Sequence, residues 1–199
     1  MLLCCHIEYD AALLERALRL SLPERRQRAR AIRSERARAA SLAAGLLLRY
    51  GLGRYGVFDA DIAYTKAGKP YLLNSPLHLS LSHSGDYAAC AISERSVGVD
   101  IQKIVQVSER AVSRFCTAEE RRYLDGSRDV ERDIIRLWAL KESWLKAAGS
   151  AAADMFKVSF KLCGDGAAKG PEGFACRLYE QLPGYILAVC ESEQAASKA

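Results

Sequence analysis

Val97-Gly98-Val99-Asp100-Ile101-Gln102 is an apolar run interrupted by a glycine and carrying an acid and an amide two residues apart. Its β-branched residues predict a strand over 97–101, with Asp100 and Gln102 on the same side of it. An acid at the end of a core strand is costly unless it is paired, hydrogen-bonded or bound to a cation. The groups that answer it lie in residues 138–146, where Trp138, Glu142 and Lys146 follow one another at i, i+4, i+8 on one helical face. Beside that face runs a stripe of Ile134, Leu137, Lys141 through its stem, Trp144 and Ala148. Two readings fit this spacing. In one, Glu142 and Lys146 are an exposed i,i+4 pair worth about a few tenths of a kcal/mol. In the other, Asp100 and Glu142 meet around a hard divalent cation and Lys146 reaches a ligand phosphate, since Mg²⁺ is commonly held by one or two carboxylates plus phosphate oxygens.

The rest of the second half builds around this pair. Thr117-Ala118-Glu119-Glu120 predicts a capping box opening a short helix to about Leu124. A strong helix spans 129–148 and is closed by Gly149. Strands are predicted over 157–163, 174–180 and 184–190. The first half reads alike. A strand covers 2–9. Ser21-Leu22-Pro23-Glu24 is read as a capped helix start, followed by one long or two consecutive helices to Tyr50, ended by Gly51, Gly53 and Gly56. Strands then fall at 61–65, 77–82, 87–93 and 97–101, with Ser82-His83-Ser84-Gly85-Asp86 as a hairpin turn. The expected fold is α+β: two similar lobes related by a pseudo-twofold, each with helices on a small, mainly antiparallel sheet. The lobes are placed at 1–99 and 100–190, with a frayed tail at 191–199.

Composition narrows the partners. The 199 residues carry 29 Lys and Arg against 24 Asp and Glu. Residues 1–99 hold 14 basic and 9 acidic side chains, whereas 100–199 hold 15 of each, so the whole surplus lies in the first half. Nine arginines crowd 16–38 against Glu24 and Glu35, which predicts an anionic partner there. A nucleic-acid surface is the competing reading, but no recognised motif and few interleaved aromatics support it. Seven cysteines without a C-x-x-C pair predict reduced thiols packed as small hydrophobes in a cytoplasmic protein, and no zinc site. Residues 1–6 lack the basic start of a signal peptide, and the longest apolar run, 42–48, is far short of a membrane span.

Two further stretches carry candidate chemistry. Gly68-Lys69-Pro70-Tyr71 is either a plain turn or a rigid loop offering a cation to an anion. His83, after Leu79-Ser80-Leu81-Ser82, is either a hydrogen-bonded structural residue or a binding group; no G-x-S-x-G or triad spacing accompanies it.

Taken in order, G-K-P, S-H-S-G-D, V-G-V-D-I, F-C-T-A-E-E and W-A-L-K-E-S-W-L-K-A-A-G resemble the 4′-phosphopantetheinyl transferase superfamily, of the single-chain surfactin-synthetase-activator type, over about residues 23–149. The resemblance implies transfer of the phosphopantetheine arm of coenzyme A to a serine of an apo acyl or peptidyl carrier protein, with adenosine 3′,5′-bisphosphate released. It implies coenzyme A and Mg²⁺ between two lobes, and a monomer is expected.

Residue by residue, Asp100 and Glu142 resemble the metal-binding carboxylates, and Lys146 the lysine near the diphosphate. Lys141 is the lysine just before the metal-binding Glu and is carried over as a coenzyme A contact. Ser82 and His83 resemble the pair at the 3′-phosphate, Lys69 the lysine of the G-K-P loop, and Arg25 and Arg28 the basic residues at the 3′-phosphate end. Ser41 resembles a hydroxyl near the adenine. Glu142 is the expected base, Lys146 the stabiliser of the leaving phosphate, and Asp100 the third member of the catalytic set. Many relatives read G-x-D-x-E where this chain has Gln102, so a third metal ligand is either its amide oxygen or water, with weaker metal binding. A non-catalytic, carrier-binding relative is the alternative. The segment 104–122, with Val105, Val107, Val112 and Phe115, is either core, the preferred reading, or a docking surface.

Overall fold

A computed structural model describes residues 1–66 and 68–194 of the chain, which fold as two compact units, Met1–Glu94 and Arg95–Ala199. Residues 195–199 of the expected tail lie outside the described residues.

The first unit contains β1 (Leu2–His6), α1 (Ala11–Leu20), α2 (Pro23–Ala31), α3 (Glu35–Arg54), β2 (Ile62–Tyr64), β3 (Pro70–Leu72), β4 (His78–Ser84) and β5 (Tyr87–Ser93). Strands order as an antiparallel sheet β1-β5-β4, with β2 and β3 as a separate pair. Helix α3 lies across the sheet, and its small residues make that approach close. A methyl on Gly51 would stand 2.5 Å from Ile92 Cδ1. Gly51 and Gly53 therefore sit inside α3, which runs on to Arg54; the break comes at Gly56 with φ +75°.

Three local expectations need correction here. The sequence reading passed over α1, which Asp10 caps by accepting from the Leu13 N–H at 2.9 Å. Ser21 does not open α2. Its hydroxyl and N–H donate to the Ala17 carbonyl and close α1, so it is committed backwards, and Leu22 takes the N-cap position before Pro23. The turn expected over 82–86 is only Gly85-Asp86: Ser82, His83 and Ser84 pair with Ala89, Ala88 and Tyr87, and Gly85 supplies the positive φ the tight reversal needs.

The second unit contains β6 (Val97–Lys103), α4 (Glu109–Val112), α5 (Ala118–Asp125), α6 (Val130–Ala148), a 3₁₀ turn (Ala152–Lys157), β7 (Lys161–Leu162), β8 (Ala167–Lys169), β9 (Phe174–Tyr179) and β10 (Tyr185–Ser192). The antiparallel sheet orders β6-β10-β9-β8-β7, and α6 packs across β6, β10 and β9. The capping box at Thr117 forms, Asp129 caps α6, and Gly149 at φ +67° ends it. Ile134, Leu137, Lys141 and Trp144 are buried as the stripe required, while Ala148 is exposed. Val112 and Phe115 are core, with Ile104 and Val107 packed on it; Val105 is half exposed.

The strand expected over 157–163 shrinks to Lys161–Leu162. Before it, Glu120 accepts the Phe160 N–H at 2.9 Å, so a side chain replaces the ladder partner. At the other end, Glu191 and Ser192 belong to β10, not to a tail. Cys176 and Cys190 face each other across β9 and β10 with Cα atoms 4.2 Å apart and are joined as a disulfide, correcting the expectation of seven free thiols. Cys90 fits that expectation: burial pushes its thiol up to about 12.

One contact places α6 on β6. A methyl on Gly98 would stand 1.9 Å from the Ser143 carbonyl oxygen, 2.6 Å from the Ala147 nitrogen and 2.9 Å from Lys146 Cβ. Two of these atoms are backbone, so accommodation requires the helix itself to move. Gly98→Ala is expected to cost about 3 kcal/mol by overpacking, measured by urea unfolding with an unchanged m-value.

Candidate functional site

Because β6 and α6 touch at Gly98, the residues that follow on the strand meet the fourth and fifth turns of the helix. Asp100 is 2 % exposed. Its Oδ1 accepts from Lys146 Nζ at 2.7 Å, and its Oδ2 accepts from Gln102 Nε2 at 2.9 Å. Lys146 Nζ also donates to the Val99 carbonyl at 3.0 Å. Glu142, one turn before Lys146, feels both charges. Its carboxyl is raised above the ordinary 4.5, first by burial, then by the Asp100 charge, with Lys146 opposing. One buried and one half-buried carboxylate thus lie near a single ammonium, which bonds Asp100. Among the described residues no group of three or more His, Cys, Asp or Glu is gathered as for a metal ion. A hard cation that keeps water and phosphate ligands needs only one or two protein carboxylates, and this donor set suits it. The bond from Gln102 uses its amide nitrogen, which leaves the amide oxygen as a neutral donor for such an ion.

Lys141 belongs elsewhere. It is fully buried, its Nζ donating to the carbonyls of Phe115 (2.7 Å), Met155 (2.8 Å) and Val158 (2.8 Å) and pairing with Glu120 Oε2 at 2.8 Å. The ammonium's three protons are met inside the core, so its assignment as a coenzyme A contact is corrected: it ties the chain before α5 and the 3₁₀ turn to α6. The signal missed was Glu120, whose carboxylate also accepts from the Thr117 and Phe160 N–H groups. A buried cation of this kind requires such a partner.

In the first unit, Arg25, Arg28 and Ser41 come together. Arg25 Nη2 donates to the Ser41 carbonyl at 2.7 Å and Oγ at 3.2 Å, and Nη1 reaches the Tyr64 hydroxyl at 3.4 Å. Gly45 makes room for it, a methyl there standing 3.2 Å from Arg25 Nε. Among the described residues that Nε is buried without a hydrogen-bond partner. The Arg28 guanidinium lies 4.7 Å from the Tyr64 ring centroid, and a methyl on Gly68 would stand 3.7 Å from Arg28 Nη2, so the G-K-P loop reaches the same cluster. Tyr64 is the residue the sequence reading missed; its only signal was an aromatic in a short strand just before G-K-P. Lys69 donates its N–H to Thr65 Oγ1, and its charge helps lower His78, which burial lowers more. Neighbours on β4, Ser82 is buried and His83 exposed, on opposite faces of the strand.

The model of the 4′-phosphopantetheinyl transferase superfamily matches residues 96–190. The 4′-phosphopantetheinyl transferase Sfp of Bacillus subtilis is 30% identical over 190 residues, covering 88% of this chain and 84% of its own. Another 4′-phosphopantetheinyl transferase of Bacillus subtilis is 31% identical over 179 residues, covering 84% of this chain and 80% of its own. The solved structure of Thermotoga maritima holo-[acyl-carrier-protein] synthase is similar over 50% of this chain and 63% of its own, at TM-score 0.41 and 21% identity.

The raised Glu142 carboxyl has a thermodynamic consequence in metal-free protein. The folded state holds this proton more tightly than the unfolded chain, so this group's contribution to stability falls as pH rises from 4.5 through the raised value. Metal-free Glu142→Gln is therefore expected to melt above the parent at neutral pH, with the gap closing near about pH 4. A variant that is less stable than the parent at both pH values contradicts the assignment.

Proposed function

The chain belongs to the 4′-phosphopantetheinyl transferase superfamily and is an enzyme of that kind, and from that premise we propose that it moves the phosphopantetheine arm of coenzyme A onto a serine hydroxyl of an apo acyl or peptidyl carrier protein. The other product is adenosine 3′,5′-bisphosphate. The observation that supports this most is the meeting of buried Asp100 with Glu142 and Lys146 on the second unit's central helix.

Asp100 and Glu142, with the Gln102 amide oxygen or water, would hold magnesium. When bound, the ion supplies positive charge to the diphosphate of coenzyme A. Glu142 is the base. It takes the proton from the attacking serine hydroxyl. The serine oxygen forms its bond to the phosphorus bearing the pantetheine arm, and the bond from that phosphorus to the bridging oxygen breaks. Lys146 holds Asp100 in place and offers its ammonium to the departing phosphate. Asp100 orients Lys146.

In the first unit, the Arg25–Ser41–Tyr64–Arg28 cluster is assigned to the nucleotide. Arg25 and the Arg28 guanidinium are assigned to the 3′-phosphate end, and Lys69 adds a cation on the loop that reaches Arg28. Ser82 and His83 are assigned to the same end as binding groups without a proton-transfer role. Ser41 accepts from Arg25 and fixes it.

The test is direct. Purified protein, coenzyme A, Mg²⁺ and an apo carrier protein are expected to give a carrier heavier by one phosphopantetheine, read by mass spectrometry. Glu142→Gln should lower the rate by about 10² or more, and should also weaken the strengthening of coenzyme A binding by magnesium. Gln102→Glu should lower the magnesium concentration needed for half-maximal rate. No adduct on any of several apo carriers would favour a carrier-binding module; tight magnesium binding unchanged by Gln102→Glu would remove Gln102 from the metal site.

A further inference from the structure

Helix α1 is amphipathic yet unfinished. Leu13, Ala17 and Leu20 recur along one face, and each residue of the helix keeps part of its surface in solvent, with Leu13 42% and Leu20 45% exposed. Beside this face, α3 presents Ala43, Leu46 and Tyr50, the last 61% exposed. Between the two helices lies an open apolar groove of about 540 Å³, which continues past Leu20, Leu46 and Tyr50 into a second of about 550 Å³ ending at Val57 and Phe58. Phe58 is 75% exposed. An apolar strip of this extent on a surface marks a contact site.

The dimensions and charge of the strip select its occupant. Its α3 wall runs from Ala39 to Arg54, about 22 Å at 1.5 Å per residue, the length of a helix of about 15 residues. Arg16, Arg49 and Arg54 line the groove against Glu8 alone, and the chain's charge surplus lies in this half. Arg49 is held at the midpoint by donating to the Leu20 carbonyl. We propose that the α1–α3 groove docks an acidic amphipathic helix of a protein partner, its apolar face on Leu13, Leu20, Leu46 and Tyr50 and its carboxylates on the three arginines. None of these residues belongs to the transfer machinery assigned above, so docking and transfer are measured independently.

The probe is a fluorescein-labelled synthetic peptide of about 15 residues, with Leu at i, i+3, i+4, i+7 and Glu elsewhere, titrated with the full chain and followed by anisotropy. Saturable binding is expected. Tyr50→Glu and Leu13→Glu, both at exposed positions, should each weaken it by about tenfold through a desolvated, repelled charge, while Leu73→Glu, exposed outside the groove, should not. Replacing Glu by Lys in the peptide should abolish binding, and phosphopantetheine transfer to an isolated carrier should be unchanged in all three variants. Absence of saturable binding, binding indifferent to Tyr50→Glu, or equal binding of the Lys peptide overturns the proposal. A dimer of the chain in sedimentation that Leu13→Glu dissociates also overturns it, since a second copy would then fill the groove.

Discussion

The second unit's chemistry depends on how closely α6 approaches β6, and that approach exists only because residue 98 has no side chain. With the Ser143 carbonyl and Ala147 nitrogen where a methyl would be, strand and helix are in backbone contact. At that spacing Lys146 reaches both the Val99 carbonyl and the Asp100 carboxylate, and Glu142 comes near enough to Asp100 for their charges to repel. A wider gap would admit water, solvate the two acids and dissolve their coupling. The V-G-V-D run is thus one device. Its glycine sets the distance and its acid uses it.

The same helix carries two lysines with opposite fates, five residues apart. Lys141 is sealed in the core with Glu120 and three carbonyls, a fully satisfied pair whose replacement on one side would strand a buried charge. Lys146 bonds Asp100 at a side chain still 26% exposed, where an incoming anion can share it. Sequence spacing places both on α6, but only packing distinguishes the sealed cation from the accessible one. A buried lysine with its own carboxylate is already neutralised, whereas two acids near one partly exposed lysine still attract positive charge.

Strong local signals were legible in the chain. The Thr117 capping box, the Gly149 terminator and the β5 limits all reflect chemistry within a few residues, and they form as read. What escaped was set by distant contacts. Ser21 carried a cap signature, yet its hydroxyl turned back to Ala17 because a helix already ended there. That helix, α1, was passed over although Asp10 and the Leu13–Ala17–Leu20 spacing announced it. Tyr64 joined the arginine cluster through the β2–β3 pairing, and Cys176 met Cys190 through strand register. None of these partners is fixed by sequence distance. Asp100, Glu142 and Lys146 do come together: the helix period that aligns the last two is local, and the one long-range step, β6 to α6, was carried by the family resemblance.

The central claim is that Asp100 and Glu142 hold a divalent cation against the diphosphate of coenzyme A. Calorimetric titration of coenzyme A into the protein, with magnesium and with chelator, tests it most directly. The account predicts binding strengthened by magnesium in the parent and indifferent to it in Asp100→Ala, with the variant's fold intact by circular dichroism. Equal magnesium dependence in the two proteins would contradict it.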